Sequence, residues 1–209
     1  MVRRPLIPVA VFTGVYLASF GAVVVARGNA EFLFYLAVML ALVGLIFIVD
    51  RRAALPAPLA WALSVWGLLH VAGGSVPAPA GLTDPEGQPV LYSMWIVRGA
   101  LRYDHVVHAY GFGVATLVCE AAVRPLLARP GRVSAGLAVG VALMGLGLGA
   151  VNELVEFAAT RILPETNVGG YENTGWDLVA NTVGASAAAA ALWARRRAGS
   201  RPANTKKRD

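Results

Sequence analysis

Apolar residues fill most of this chain in six long runs, which short polar or charged segments separate. The runs extend from about Leu6 to Ala26, Phe32 to Val49, Leu59 to Val76, Asp104 to Arg124, Val133 to Thr160 and Trp176 to Trp193. A helix needs about 20 mostly apolar residues to cross the hydrocarbon core of a bilayer. The pattern therefore predicts an all-α fold, a polytopic bundle of six transmembrane helices.

The connection between the third and fourth runs is long and polar. Proline and glycine are frequent from 77 to 89. In the segment that follows, Leu91, Met94 and Trp95 fall on one side of a helix, which predicts a short interfacial helix. Aromatic rings gather at membrane–water boundaries, so we assign an outer aromatic belt to Tyr92, Trp95, Tyr171 and Trp176.

The composition also indicates a membrane protein. Of the 209 residues, 57% are hydrophobic and 14% are charged, and the mean hydropathy is +0.61. The single Cys119 lies in an apolar run and excludes both a disulfide framework and a cysteine-based zinc site. We expect one transmembrane domain over residues 1–194 and a basic cytoplasmic tail over 195–209, of which residues 201–209 are disordered.

The net charge of +6 comes from basic residues at the ends of the apolar runs, which favours a membrane surface over nucleic acid as their partner. Cytoplasmic loops carry the excess of Lys and Arg. With the N-terminus inside, the inner segments hold all of these residues except Arg27, Arg98, Arg102 and Arg161. We therefore expect a bacterial plasma-membrane protein with both termini in the cytoplasm.

Polar side chains recur in the last three runs at helical spacing. Ionisable groups are costly in hydrocarbon and usually mark a site. Residues four apart share one face of a helix. The pairs are Asp104 and His108, Asn152 and Glu156, and Asp177 and Asn181, with Glu153 beside Glu156. We expect them to converge one or two turns below the extracytoplasmic surface, where His70 of the third run could join them.

Three kinds of chemistry suit this set. Carboxylates and imidazole can ligate a divalent metal, a carboxylate that orients His108 can support general base catalysis, and a charged pocket can bind or transport a polar solute. A fourth interpretation is a satisfied network that only fixes helix packing. In the catalytic hypothesis Asp104 orients His108, while Glu153, Glu156, Asp177 and Asn181 supply further groups, and Arg102 and Arg161 attract an anionic headgroup.

Other polar residues have simpler interpretations. We predict that His105 is interfacial, that His70 is buried and hydrogen-bonded, and that Glu120 pairs with Arg124 four residues later. Asp177 could also cap the sixth helix. The loop from 161 to 175, with Glu165 and Asn167, is either solvated or a substrate lid.

Small residues are dense in the fifth run, where they would let helices approach closely. The spaced pairs are Gly136 with Gly140 and Gly145 with Gly149. Motifs of ATP-driven pumps, dinucleotide binding, serine hydrolases and HExxH zinc proteases are absent from the sequence.

Three blocks resemble a known family. YDHVVHAYGFG at 103–113, NELVEF at 152–157 and YENTGWDLVANTVGA at 171–185 resemble the uncharacterised bacterial inner-membrane family named for YjdF. They also look like a wider pattern of VanZ-like proteins, an Asp with His four residues later, a Glu-x-x-Gln and an Asp-x-x-x-Asn-x-x-Gly. These fall on Asp104/His108, Glu153 and Asp177/Asn181/Gly184. Glu156 stands where that pattern has Gln, which adds negative charge and favours a cation. The resemblance covers about residues 90–190 and implies a membrane protein without an established activity.

The functional hypothesis is an envelope protein that acts on a lipid or lipid-linked headgroup at the outer leaflet. A small-solute or ion transporter and a structural membrane protein are the alternatives. Whether the protein is an enzyme stays open, as does its cofactor, for which a divalent metal is one candidate.

Overall fold

The computed structural model describes residues 2–28, 30–84, 89–127, 133–164, 166 and 168–198. Within this part of the chain, one long helix corresponds to each predicted run. The helices are α1 (Ile7–Arg27), α2 (Ala30–Ala53), α3 (Ala57–Ser75), α4 (Tyr103–Val123), α5 (Ala135–Ile162) and α6 (Tyr171–Ala198). The prediction of an all-α membrane fold is confirmed.

Five of these helices, α1 to α5, are long and apolar enough to cross a membrane. The last helix, α6, is 28 residues long but less apolar, because its first half carries Glu172, Asn173, Asp177 and Asn181. It begins at Tyr171, earlier than the hydrophobic pattern predicts, and continues to Ala198. Residues 195–198 of the predicted tail are therefore helical, whereas residues 199–209 lie outside the described part of the chain.

Helix α4 occupies the centre of the bundle and packs against α3, α5 and α6. Successive helices run in opposite directions, so the end of α5 meets the beginnings of α4 and α6. Apolar clusters of the described residues lie at the other end of the bundle. Leu55 and Leu59 pack with Val114 and Val118 between α3 and α4, and Val141 packs with Ala189 between α5 and α6.

Glycines set the distance between α4 and its neighbours. A side chain at Gly184 of α6 would overlap the backbone of Ala109 in α4, and Gly113 of α4 faces the carbonyl of Gly184. On α5, Gly145 faces Thr116 and Gly149 faces Asn181, whereas Gly136 and Gly140 meet no other helix. Of the two glycine pairs in the fifth run, only the second brings helices together within the described bundle.

The prediction of an interfacial helix after residue 90 is wrong. A 3-10 turn at Leu91–Ser93 leads into an antiparallel hairpin of β1 (Trp95–Val97) and β2 (Leu101–Arg102). The β-branched Ile96 and Val97 favour extended backbone, and Gly99 supplies a turn with φ of 74°. The apolar spacing of the segment was misleading because local β propensity and this glycine turn outweigh it.

An ion pair closes the end of the bundle where the chain enters α1. The guanidinium of Arg3 binds the buried carboxylate of Asp50 and donates to the carbonyl of Leu55 at 2.6 Å. Asp50 also accepts from the backbone N–H of Leu55 at 3.1 Å. Asp50 thus belongs to α2 and ties the turn between α2 and α3 to the start of α1.

We expect Gly184→Ala to destabilise the bundle and Gly140→Ala to have no such effect. The first methyl group would overlap the α4 backbone, an overpacking that costs about 1–3 kcal/mol. The second meets open space, and alanine is the better helix former by about 1 kcal/mol. The melting temperatures of both variants are measured by thermal unfolding in detergent. Equal melting temperatures would contradict the close approach of α4 and α6.

Candidate functional site

A cavity of about 260 Å³ opens at the end of the bundle where α2, α4 and α6 begin. Its walls divide by chemistry. The apolar part comes mainly from α1 and α2 and includes Leu17, Phe20, Val24, Phe32, Leu36 and Met39. The polar part comes from several elements and includes Glu31, Tyr35, His70, Tyr92, Arg102, Asp104, His108, Glu156 and Asn173.

His108 connects the three helices of the predicted cluster. Its side chain is 4% exposed. On one side of the ring Nε2 lies 3.5 Å from Asp104 Oδ1. On the other side Nδ1 lies 3.0 Å from Asn181 Oδ1 of α6 and 3.8 Å from Glu153 Oε1 of α5. The packing of α4, α5 and α6 therefore brings these residues together in space, as expected.

Asp177 lies behind this histidine and is fully buried. Its Oδ2 accepts a hydrogen bond of 2.6 Å from Nδ2 of Asn173, one turn earlier on α6. Its Oδ1 has no hydrogen-bond partner among the described residues. Because α6 begins at Tyr171, Asp177 is on the second turn and does not cap the helix.

The two glutamates of α5 differ in their surroundings. Glu156 lines the cavity and accepts a hydrogen bond of 2.8 Å from Nδ2 of Asn152. The side chain of Glu153 is 8% exposed, and neither of its oxygens has a hydrogen-bond partner within the described structure. A buried carboxylate without such partners is energetically costly, so these oxygens are suited to receive a cation or a donor from a ligand.

Two groups of side chains are close enough to hold a metal ion. One comprises Asp104, His108 and Asp177, and the other His108, Glu153 and Glu156. Within each group the ligand atoms lie within 4.8 Å of one another. Carboxylate oxygen together with imidazole nitrogen is a donor set that first-row divalent metals accept.

The two arginines proposed for substrate binding are in different environments. Arg102 lines the cavity, donates to Asp84 Oδ2 at 2.9 Å and stacks over the ring of Trp95. Its Nε is buried without a hydrogen-bond partner in the described structure. Arg161 is exposed on the last turn of α5 and is not part of the cavity wall. The structure therefore brings only Arg102 to the cluster.

Tyr92, which the sequence assigned to the aromatic belt, belongs to the cavity wall. Its hydroxyl donates to the carbonyl of His70 at 2.8 Å, and the two rings are in edge contact. Burial raises the pKa of the Tyr92 phenol, so the group stays a hydrogen-bond donor. His70, which the sequence suggested as an additional member of the cluster, lines the same cavity.

His105 is buried in the first turn of α4, and its interfacial position in a membrane stays a prediction. Its Nδ1 accepts from the backbone N–H of Arg102 at the start of α4, and its ring lies near Trp176. The prediction for Glu120 is confirmed, since its carboxylate pairs with Arg124. The hydrogen bond of His105 and the ion pair of Glu120 are both local to α4 and its ends, and neither residue lines the cavity.

Several residues of the cavity were missing from the sequence prediction. Glu31 and Tyr35 lie on α2, and Asn173 lies in the first turn of α6, before the apolar run. The acidic first turn of α2 was a usable signal, but it lies just outside the run that starts at Phe32. From the loop before α6, Val168 and Gly169 line the cavity, whereas Glu165 and Asn167 lie outside the described residues.

The family model described as "Predicted membrane protein (DUF2238)" matches residues 8–198. The match covers all six helices, and the chain belongs to this family of membrane proteins. No curated protein and no solved structure matches the chain.

We expect Asn181→Ala to lower the free energy of unfolding by about 1–3 kcal/mol, because it leaves a buried histidine nitrogen without its partner. Thr182→Ala is the matched control, since this neighbour is exposed and surface substitutions usually change stability by less than about 0.5 kcal/mol. Chemical unfolding in detergent micelles compares the two. An Asn181→Ala protein as stable as the control would argue against the contact between α4 and α6 through His108.

Proposed function

We propose that this membrane protein binds an amphiphilic lipid or lipid-linked molecule and acts on its polar headgroup. The observation that carries the proposal is the composition of one cavity. An apolar wall from α1 and α2 continues directly into the polar wall that holds Asp104, His108 and Glu156. Such a cavity suits a ligand with an acyl or isoprenoid portion and a polar portion, because each part meets a surface of its own kind.

The polar wall offers the groups that acid–base chemistry requires. Asp104 lies 3.5 Å from Nε2 of His108, and this pair can act on a bound headgroup as a base or as ligands of an activating metal ion. Glu156 lies in the same wall and can exchange a proton with a bound headgroup. Arg102 supplies a cation for an anionic headgroup. Arg161 has no part in this proposal because it lies away from the cavity.

We also propose that the cavity faces the extracytoplasmic side of a bacterial plasma membrane, with both termini in the cytoplasm. Basic residues are concentrated at the opposite end of the bundle, namely Arg3, Arg4, Arg51, Arg52, Arg124 and Arg195. The positive-inside rule assigns that end to the cytoplasm. The resemblance to the YjdF family and to VanZ-like proteins supports an envelope setting.

The interior of α4 argues against a transport pathway through the bundle. Beyond His108, the next buried polar side chain on α4 is Thr116, which donates to the carbonyl of Phe112 within its own helix. Glu120 further along is paired with Arg124. Polar groups that are satisfied in this way do not provide a continuous path for a solute.

We expect the Asp104→Asn protein to lose activity on lipid while keeping its fold. Wild-type protein is reconstituted in nanodiscs with a bacterial polar lipid extract, and liquid chromatography with mass spectrometry follows the lipids over time. A species that the wild type consumes should persist with Asp104→Asn, because His108 loses its carboxylate partner. Glu120→Gln is the control, since it replaces another acid of α4 away from the cavity. A lipid change that continues at the wild-type rate in Asp104→Asn would end the catalytic proposal.

Orientation is tested by thiol labelling of intact cells with a membrane-impermeant maleimide. Ala80→Cys, in the exposed connection on the cavity side, should react. Leu126→Cys, which is 81% exposed at the other end, should react only after permeabilisation. The native Cys119 is buried and serves as the background. The reverse pattern would place the cavity on the cytoplasmic side.

A further inference from the structure

We propose that Asp104, His108 and Asp177 form a mononuclear site for a first-row divalent metal ion such as Zn²⁺, Mn²⁺ or Fe²⁺. The three side chains come from α4 and α6, and one ligand atom from each lies within 4.8 Å of the other two. The proposal stands on this geometry and does not depend on the identity of the lipid.

The hydrogen bond to Asn181 prepares His108 as a ligand. Since Asn181 Oδ1 can only accept, Nδ1 of His108 carries the proton at their 3.0 Å contact. The lone pair of the neutral ring then resides on Nε2, the nitrogen that faces Asp104. Metal-binding histidines characteristically donate their other ring N–H to an oxygen, which fixes the tautomer and the ring orientation.

The carboxylate of Asp177 likewise has one oxygen that accepts a hydrogen bond and one oxygen that is available to a metal ion. Asn173 donates to Oδ2 and orients the carboxylate, whereas Oδ1 is buried without a hydrogen-bond partner in the described structure. Asp177 is fully buried. An available oxygen at such a position is an independent sign of a cation, because an uncompensated carboxylate in a low-dielectric interior is strongly disfavoured.

The negative charge around the site also favours a bound cation. Asp104 and Asp177 lie close to Glu153 and Glu156, so four carboxylates share a small volume around one imidazole. The guanidinium of Arg102 is already paired with Asp84. A divalent cation would offset this negative charge and bind the oxygens directly.

The hydrogen bond between His108 and Asn181 also determines which of the two groups of side chains can bind the metal ion. Nδ1 is the ring nitrogen on the side of Glu153, and its proton is donated to Asn181. It is therefore not available to a metal held by Glu153 and Glu156. Those two glutamates lie beside the proposed site without being ligands.

The site has the form that catalytic metal centres use, three protein ligands and an open position. Asp104 and His108 line the cavity, whereas Asp177 lies behind them, so a fourth ligand would enter from the cavity. Ligands about 2.1 Å from a tetrahedral metal lie about 3.4 Å apart. Asp104 Oδ1 and His108 Nε2 are already 3.5 Å apart, and the other separations, which are 4.8 Å at most, would close by no more than about 1.4 Å through small side-chain rotations.

Metal binding is measured on the detergent-purified full chain after chelation and dialysis. The protein is titrated with Zn²⁺, Mn²⁺ or Mg²⁺ alone, and bound metal is quantified by inductively coupled plasma mass spectrometry. We expect about one Zn²⁺ or Mn²⁺ per chain, and an affinity at least tenfold lower in Asp104→Asn and in Asp177→Asn. Glu156→Gln, a matched loss of one neighbouring carboxylate, should retain the metal.

Thermal unfolding with and without metal separates a lost site from a lost fold. The wild-type and Glu156→Gln proteins should gain melting temperature with Zn²⁺ or Mn²⁺, because a ligand that binds only the folded state stabilises it. Asp177→Asn should unfold cooperatively without such a gain. The proposal is overturned by wild-type protein that binds neither metal, or by metal that is retained in Asp177→Asn and lost in Glu156→Gln. Since the assay measures metal binding and needs no lipid turnover, this result is independent of the lipid experiment.

Discussion

Close contact between α4 and α6 is the constraint on which the rest of the molecule depends. It exists because Gly184 presents only backbone to Ala109, so that the two helices approach until their main chains touch. The contact brings Asn181 to His108 and encloses Asp177 completely. A larger residue at the crossing would separate the helices and admit lipid or water between polar groups whose chemistry depends on being enclosed.

Burial makes the polar cluster energetically costly. In a medium of low dielectric constant, each unpaired oxygen of Glu153 and Asp177 is costly. Such groups are retained in membrane proteins where they bind ions, protons or substrates. The amides of Asn173, Asn181 and Asn152 satisfy some atoms of the cluster and leave others open. Such partial satisfaction is the basis on which we propose a ligand site here.

Charged side chains at the two ends of the bundle have different surroundings. At one end, Arg3 and Asp50 form an ion pair that closes the turn between α2 and α3, and Arg124 pairs with Glu120. At the other end, acidic groups face a cavity, and Arg102 is held over Trp95 at its rim. Paired charges stabilise one end, whereas the groups at the other remain accessible to a ligand. This asymmetry supports our proposal of a function at one side of the membrane.

Local properties of the sequence determined the helices and which residues share a face. Hydrophobic run length predicts α1 to α5, and four-residue spacing places Asp104 with His108 and Asp177 with Asn181, because both depend only on helix geometry and the thickness of a bilayer. Tertiary structure decided which residues of the other helices these faces contact. The apolar wall from α1 and α2, the place of Tyr92 in the cavity and the separation of Arg161 from the cluster depend on how helices rotate against one another. That rotation is set by packing between residues far apart in the chain, such as Gly184 and Ala109, and periodicity within one helix carries no information about it.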